Sequence, residues 1–253
     1  MAECVVFCAD MHLAPDEPEK TERFVRFLRS YEGRAQVVYL LGDLFDIWLG
    51  WRHLRLGEYK DVVEELRRLT KGGTRVFFIP GNRDFMVGRP FARETGVTIV
   101  VNGEEIELGG RKVYVAHGDL LCTEDVSTQR FAAVMRGTLG RFVLQPLWRI
   151  LPVRVSYNLA HGYRNHSDRM KKFKARKAYH LAPAALKRIF ERGCEAVICG
   201  HLHKPGKREM QFDGKTRTVF VLGDWSGDAV YLEYADGEFK LKTFISVDCP
   251  KPR

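Results

Sequence analysis

The chain of 253 residues is 45% hydrophobic and carries a net charge of +9, a balance that suits one large globular domain with a sizeable core. Its most apolar late stretch, 142–151, is broken by Gln145, Pro146 and Arg149 and is far shorter than the about 20 residues that span a bilayer, and Glu3 stands where an export signal would carry positive charge. Six cysteines at irregular spacing match neither a zinc-pair nor a redox pattern, so reduced, buried thiols in a cytoplasmic protein are expected.

In chain order, residues 4–9 predict a strand that runs into Asp10-Met11-His12. Residues 19–31 carry Phe24, Phe27, Leu28 and Tyr31 at helical spacing. The run Val37-Val38-Tyr39-Leu40-Leu41 stops at Gly42 and delivers Asp43, as a buried strand does when it opens into a functional loop. Residues 48–55 predict an aromatic and basic loop, and 59–70 an amphipathic helix closed by Gly72-Gly73. The strand 75–79 empties into Pro80-Gly81-Asn82-Arg83-Asp84 and is followed by a short helix after Pro90 and a strand over 97–101. A hairpin around Gly109-Gly110 joins 104–108 to 112–116, which ends in His117-Gly118-Asp119. From about 125 to 192 the β pattern fades into a helical insertion, expected to cap the strand ends within a single domain spanning 1–253. The strand 196–199 then leads into Gly200-His201-Leu202-His203. Four more strands (207–212, 216–222, 229–234, 239–244) predict an antiparallel run with turns at Asp213-Gly214 and Asp236-Gly237. Alternating strands and helices in the first half predict an α/β fold with a layered sheet.

Charge is unevenly distributed. Residues 126–188 hold fourteen Lys/Arg against the single acid Asp168, so this segment carries +13 and the remainder −4. A basic block on a mildly acidic body predicts a specific anionic partner.

Five strand ends gather Asp10, His12, Asp43, Asn82, His117, His201 and His203. Carboxylate, amide and imidazole donors without Cys suit divalent ions such as Mn, Fe, Zn or Co rather than a structural zinc knot. Seven donors are enough for two ions, and Asp43 is the expected bridge because a carboxylate can give one oxygen to each. A water between two such ions, its pKa depressed, is the expected nucleophile. One such motif at one strand end is usually a solvated turn, but five in this order make a site.

The order Asp-x-His, Gly-Asp-x-x-Asp, Gly-Asn-x-Asp, His-Gly-Asp, Gly-His-x-His resembles the calcineurin-like metallophosphoesterase superfamily. That resemblance implies an αββα sandwich of two mixed β-sheets, here with a helical insertion cap, and two divalent metal ions, with Mn2+ the expected one. Gly42-Asp43-Leu44-Phe45-Asp46-Ile47-Trp48, Gly81-Asn82-Arg83-Asp84-Phe85, 117–125, Phe91-Ala92-Arg93-Glu94-Thr95-Gly96 and Gly200-His201-Leu202-His203-Lys204-Pro205 are similar to one branch, the UDP-2,3-diacylglucosamine hydrolases of lipid A biosynthesis. The similarity covers residues 4 to about 235 and is looser in the insertion.

Most members of the superfamily place His after the Asn, as an acid for an alkoxide leaving group. Here the slot holds Arg83, which cannot release a proton near neutral pH. A phosphoanhydride releases a phosphate that needs no such acid, and Arg83 can grip a diphosphate as a fork, its bland alternative being a pair with Asp84. The expected catalytic residues are Asp43, Arg83 and His117. Substrate contacts are expected at Asn82, Arg83, Asp125, Ser167, Lys171, Lys174 and His201, although Lys171 stands where relatives tend to have Asn. Asp84 and Asp119 are expected to orient metal-bound Asn and His. In the insertion, Phe142, Val143, Leu144, Leu147, Trp148, Ile150 and Leu151 beside Arg141, Arg149 and Arg154 suit an acyl-chain chamber resting on an anionic membrane.

The expected enzyme is a monomeric pyrophosphatase for a nucleotide-sugar lipid, cytoplasmic and peripheral on the cytoplasmic face of the inner membrane. A related phosphoesterase acting on another nucleotide-linked lipid or a soluble nucleotide is the alternative. A metal-free scaffold would have lost ligands, and all seven positions are filled. Nucleic acid is not an expected partner, because the basic block has little aromatic interleaving beyond Tyr163, Phe173 and Tyr179.

Overall fold

The computed structural model describes residues 3–137 and 180–245, with 140, 143, 150–152, 155–159 and 162 between them. Strands β1 (Cys4–Cys8), β2 (Val37–Leu40), β3 (Arg75–Phe78) and β4 (Thr98–Ile99) run parallel in one sheet. The last two strands, β10 (Ala229–Ala235) and β11 (Glu238–Phe244), extend it antiparallel on the β1 side. The second sheet has the order β5-β6-β7-β9-β8, made of β5 (Glu104–Leu108), β6 (Arg111–Ala116), β7 (Ala196–Cys199), β8 (Gly206–Phe212) and β9 (Lys215–Val221). Its centre, β6-β7-β9, is parallel, and β5 and β8 are antiparallel edges.

The apolar runs of β1, β2 and β7 are uninterrupted because these central strands are covered on both faces. Val6, Cys8, Val38, Leu40, Val76 and Phe78 point to a helical layer of α1 (Pro18–Ser30), α3 (Lys60–Lys71) and α4 (Arg89–Thr95). Val5, Phe7, Ala9, Tyr39, Leu41 and Ile79 point instead to Val113, Val115, Ile198, Phe220 and Leu222 of the opposite sheet. The far face of that sheet, with Val197, Cys199, Val219 and Val221, is covered by Leu186, Ile189 and Phe190 of α6 (Pro183–Glu191). Four layers result, helix, sheet, sheet, helix, in the αββα arrangement. Between the sheets Phe7, Tyr39 and Phe77 sit in register on β1, β2 and β3 and stack at 5.2 and 4.9 Å.

Three local expectations change. The loop predicted over 48–55 contains a 3₁₀ turn at Gly50–Arg52 and the helix α2 (His53–Leu56). Burial drives this: Trp48 stacks on Phe45 at 4.5 Å, and the His53 ring accepts the Leu49 N–H at 3.0 Å while facing Glu58 at 2.9 Å. The strand predicted over 97–101 shortens to β4, with Val101 exposed. The last four strands are not one antiparallel run. β8 and β9 pair in the second sheet, β9 lies parallel to β7, and the chain then crosses to β10 and β11 in the first sheet. Alternation predicts the strands but not the partners they choose.

Helix α5 (Val126–Arg136) opens the basic segment. Cys8, Cys122, Cys194 and Cys199 are buried free thiols and Cys4 is a half-buried one. Among the described residues no helix is long and apolar enough to cross a membrane.

Candidate metal centre

Because β1, β2 and β3 are parallel, as are β6 and β7, their C-terminal ends reach the same edge of the sandwich, where all seven sequence-predicted donors stand. Backbone hydrogen bonds lace the loops together. Asp10 N–H donates to the Gly42 carbonyl at 3.0 Å and His12 N–H to the Asp43 carbonyl at 2.8 Å, continuing the β1–β2 ladder past the strands. Across the sheets, His201 N–H donates to Asp10 Oδ2 at 2.6 Å.

Asp10, His12, Asp43, His201 and His203 all have left-handed backbones, with φ between 48° and 68°. L-residues other than Asn, Asp and His seldom adopt that region, and such conformations persist only where surrounding contacts over-determine them. The turn aims each side chain back across the strand end. Gly42, at φ +81°, has no alternative: a Cβ there would lie 2.6 Å from Gly81 N and 2.7 Å from His117 Nδ1. A Cβ at Gly81 would meet Asp43 Oδ1 at 2.2 Å. The loops approach each other too closely for side chains at these points.

The donor atoms form two overlapping groups, Asp10-His12-His203 and Asp10-Asp43-His117, each with its ligand atoms within 4.8 Å of one another. Asp10 belongs to both, whereas Asp43, expected as the bridge, belongs to the second. His117 donates Nδ1–H to the Leu41 carbonyl at 2.8 Å, so neutral His117 turns the Nε2 lone pair toward Asn82 Oδ1 at 3.2 Å and Asp43 Oδ2 at 3.7 Å. In the other group, His12 Nε2 and His203 Nε2 stand 3.2 Å apart, and Asp10 Oδ1 lies 3.7 Å from the latter. Asp10 Oδ1 is buried and accepts no hydrogen bond from the described residues. Lone pairs this close repel unless a ring proton or a cation lies among them, and oxygen with imidazole nitrogen is a donor set for divalent transition ions. The residues therefore fit a pair of divalent cations.

Electrostatics of the protein alone point the same way. Burial, and then Asp43, push the Asp10 carboxyl well up against the pull of His117. For Asp43, burial is outweighed by His117, His12 and Arg83, which hold it well below the usual carboxylate range. Burial opposes a charge on His117, but Asp43, Asp10 and Asp119 push it up to about 9. Burial and the His117 charge push His201 down to about 4, leaving it a neutral donor whose ring packs edge-on to His117 at 5.1 Å. A buried concentration of carboxylates that needs an imidazolium for compensation is a cation site.

Neighbouring residues refine the expected roles. Arg83 does not pair with Asp84. Its Nη1 lies 2.5 Å from Asp46 Oδ1 and its Nε 3.9 Å from Asp43 Oδ2, while its backbone N–H donates to Asp43 Oδ1 at 2.8 Å. Asp84 orients backbone rather than a ligand ring: it accepts N–H bonds from Gly81 and Leu44, both at 2.7 Å, and from Asp43 at 3.3 Å. It thus ties the loop after β3 to the loop after β2, and burial followed by Asp43 pushes its carboxyl up to about 7. Asp119 is buried, and its charge acts on both His117 and His201. Asp125 is buried immediately before α5. Ser167, Lys171 and Lys174, like Arg141, Phe142, Leu144, Leu147, Trp148, Arg149 and Arg154, lie outside the described residues.

One residue escaped the sequence reading. Asp224 Oδ2 lies 3.4 Å from His203 Nδ1. Its signal is present, since Leu222-Gly223-Asp224 ends an apolar run in the same way as Leu41-Gly42-Asp43. Only the parallel pairing of β9 with β7, hidden from local pattern, brings that end to the rim.

Residues 5–205 match the family model of calcineurin-like phosphoesterases. The UDP-2,3-diacylglucosamine hydrolase of Pseudomonas aeruginosa is 34% identical over 230 residues, covering 90% of this chain and 94% of that protein. The protein of the same name from Azotobacter vinelandii is 33% identical over 237 residues, with 93% and 96% covered, and that from Pseudomonas savastanoi 32% over 241 residues, with 95% of each.

Proposed function

The chain belongs to the calcineurin-like phosphoesterase family, in its branch of UDP-2,3-diacylglucosamine hydrolases, and from that membership we propose that it hydrolyses the pyrophosphate bond of UDP-2,3-diacylglucosamine. The products are 2,3-diacylglucosamine 1-phosphate (lipid X) and UMP, a step of lipid A biosynthesis. The observation that carries this reading is a buried double cluster of cation ligands with Arg83, instead of an acid, at its edge.

Asp10, His12 and His203 would hold one ion and Asp43, Asn82 and His117 the other, with Asp10 adjoining both and His201 completing the set. Bound there, divalent ions, Mn2+ foremost, supply Lewis-acid polarisation of phosphoryl oxygens and a water of lowered pKa. The chain does the rest. Asp46 holds the Arg83 guanidinium at the edge of the cluster, where its planar fork suits the two phosphates of a diphosphate. Arg83 keeps its proton, and the departing phosphate needs none. Asp84 and the glycine contacts keep the loops at one spacing, so reacting groups are positioned before substrate arrives.

Val143, Ile150, Val155 and Leu159 of the basic segment are exposed, which supports its use for acyl chains and for peripheral contact with an anionic membrane face. Ser167, Lys171, Lys174 and Asp125 are the substrate contacts proposed there. The deciding experiment is a panel of hydrolysis assays with Mn2+, comparing UDP-2,3-diacylglucosamine, its deacylated form and UDP-glucose. We expect strong preference for the acylated sugar. Preference for either soluble nucleotide sugar would defeat the lipid assignment and favour a related phosphoesterase.

A further inference from the structure

The strand β9 ends at Val221, and the chain then crosses from the second sheet to the first through Leu222-Gly223-Asp224-Trp225 before entering β10. This crossing is unusually well anchored. Trp225 is fully buried, with its ring edge-on to Phe24 at 5.4 Å and to Phe27 at 5.1 Å on α1. Arg23, one residue before Phe24, donates to the carbonyls of Trp225 and Gly227. Trp225 N–H donates to the Asp10 carbonyl at 3.3 Å. On its other side, a Cβ at Gly223 would stand only 3.1 Å from the Pro205 ring, so the crossing lies directly on the loop that carries His201 and His203. Asp224 is therefore presented by a rigid segment that touches both ligand loops of the first cation group.

Among the described residues its carboxylate faces His203 Nδ1 at 3.4 Å. The opposite ring nitrogen, Nε2, faces His12 Nε2 and Asp10 Oδ1. His117 shows the same division, with Nδ1–H on the Leu41 carbonyl and Nε2 toward Asp43 and Asn82. A ligand histidine needs its outer N–H held if the inner lone pair is to stay aimed at a cation, and a carboxylate in that place also makes the ring a stronger donor.

We propose that Asp224 is the positioning residue of His203: it accepts the Nδ1 proton, fixes the Nε2 lone pair on the Asp10-His12-His203 side of the centre, and sets the affinity of that side for its divalent ion. The inference rests on the two-cation reading above. Asp224 and His203 are about equally accessible, at 30% and 31% of their side-chain surface, so this half of the centre is the half that solvent reaches. Its ion then depends on a side-chain carboxylate, whereas the buried half depends on a backbone carbonyl.

Isothermal titration of metal-stripped protein with Mn2+ tests this without any assay of turnover. Wild-type protein takes two ions. Asp224→Ala should weaken one site by about 10–100-fold and leave the other unchanged, with the same melting temperature for the stripped protein. Asp224→Asn keeps an acceptor without the charge, so it should fall between the two, and it carries the test if the alanine variant fails to fold. The ¹⁵N spectrum of labelled histidines should show His203 protonated at Nδ1 in wild type and losing that preference in Asp224→Ala. Two sites of wild-type affinity in Asp224→Ala would overturn the inference, and so would equal weakening of both, which marks a general loss of the rim. A wild-type protein that takes fewer than two ions would instead overturn the two-cation reading itself.

Discussion

His117 and His203 serve the same rim from adjacent parallel strands of the second sheet and are held in different ways. His117 is buried at 1% exposure, follows β6 directly, and gives its Nδ1 proton to the carbonyl of Leu41 at the end of β2. His203 lies four residues beyond the end of β7 at Cys199, keeps about a third of its side chain in solvent, and faces a carboxylate delivered by a crossing loop. One half of the centre is thus shaped by backbone, which substitutions elsewhere scarcely move. The other is shaped by side chains and can be tuned by one substitution. Buried donors give a fixed, dry site for charge, and the other half is the one that solvent reaches.

The largest blow to this comparison is Asp43→Ala. It removes the carboxylate that offsets His117 and adjoins Arg83, so turnover should vanish while circular dichroism reports a folded protein. Activity near wild type would show that the buried half is dispensable. Arg83→Ala should follow, lowering kcat/KM for the pyrophosphate by about 10–100-fold through the loss of charge-assisted hydrogen bonds. Hydrolysis of p-nitrophenyl phosphate, which offers one phosphate, should fall far less, and equal losses would refute the diphosphate role. Gly42→Ala tests the backbone half directly. With φ +81° and Gly81 N in the way of the new Cβ, it should cost about 1–3 kcal/mol in urea unfolding and weaken Mn2+ at the His117 side. Asp84→Asn should have the smallest effect, about 1–2 kcal/mol, because one of two accepting oxygens becomes an amide that confronts a backbone N–H. A variant as stable as wild type would show that the two loops hold together without it.

Much of this was legible in the residues. Val37 to Leu41 has to be a doubly buried strand because its side chains are apolar on both faces, and the Gly-Asp that follows can only be its exit. The same holds for the four other strand ends, so the seven side chains that meet at the rim were nameable in advance. Trp48 to Arg55 was not legible as a helix, since its short turns are driven by packing against Phe45 and Tyr59 rather than by periodicity. Nor was the fate of the last four strands, whose alternating pattern suits either sheet.

The chemistry of the donors, their order along the chain and the layer type follow from sequence, because they depend on local pattern: a run of apolar residues, a glycine, a polar side chain. Which donors share an ion depends on register and crossing, and these are settled by packing between elements far apart in the chain. Asp10 stands in both groups because His117 and His203 both reach it from the other sheet. Arg83 turns to Asp46 rather than to its neighbour Asp84 because Asp84 is already occupied by the backbone of two loops. Asp224 reaches the rim because β9 pairs parallel with β7 and Trp225 is buried under α1, two long-range burials that no window of sequence contains.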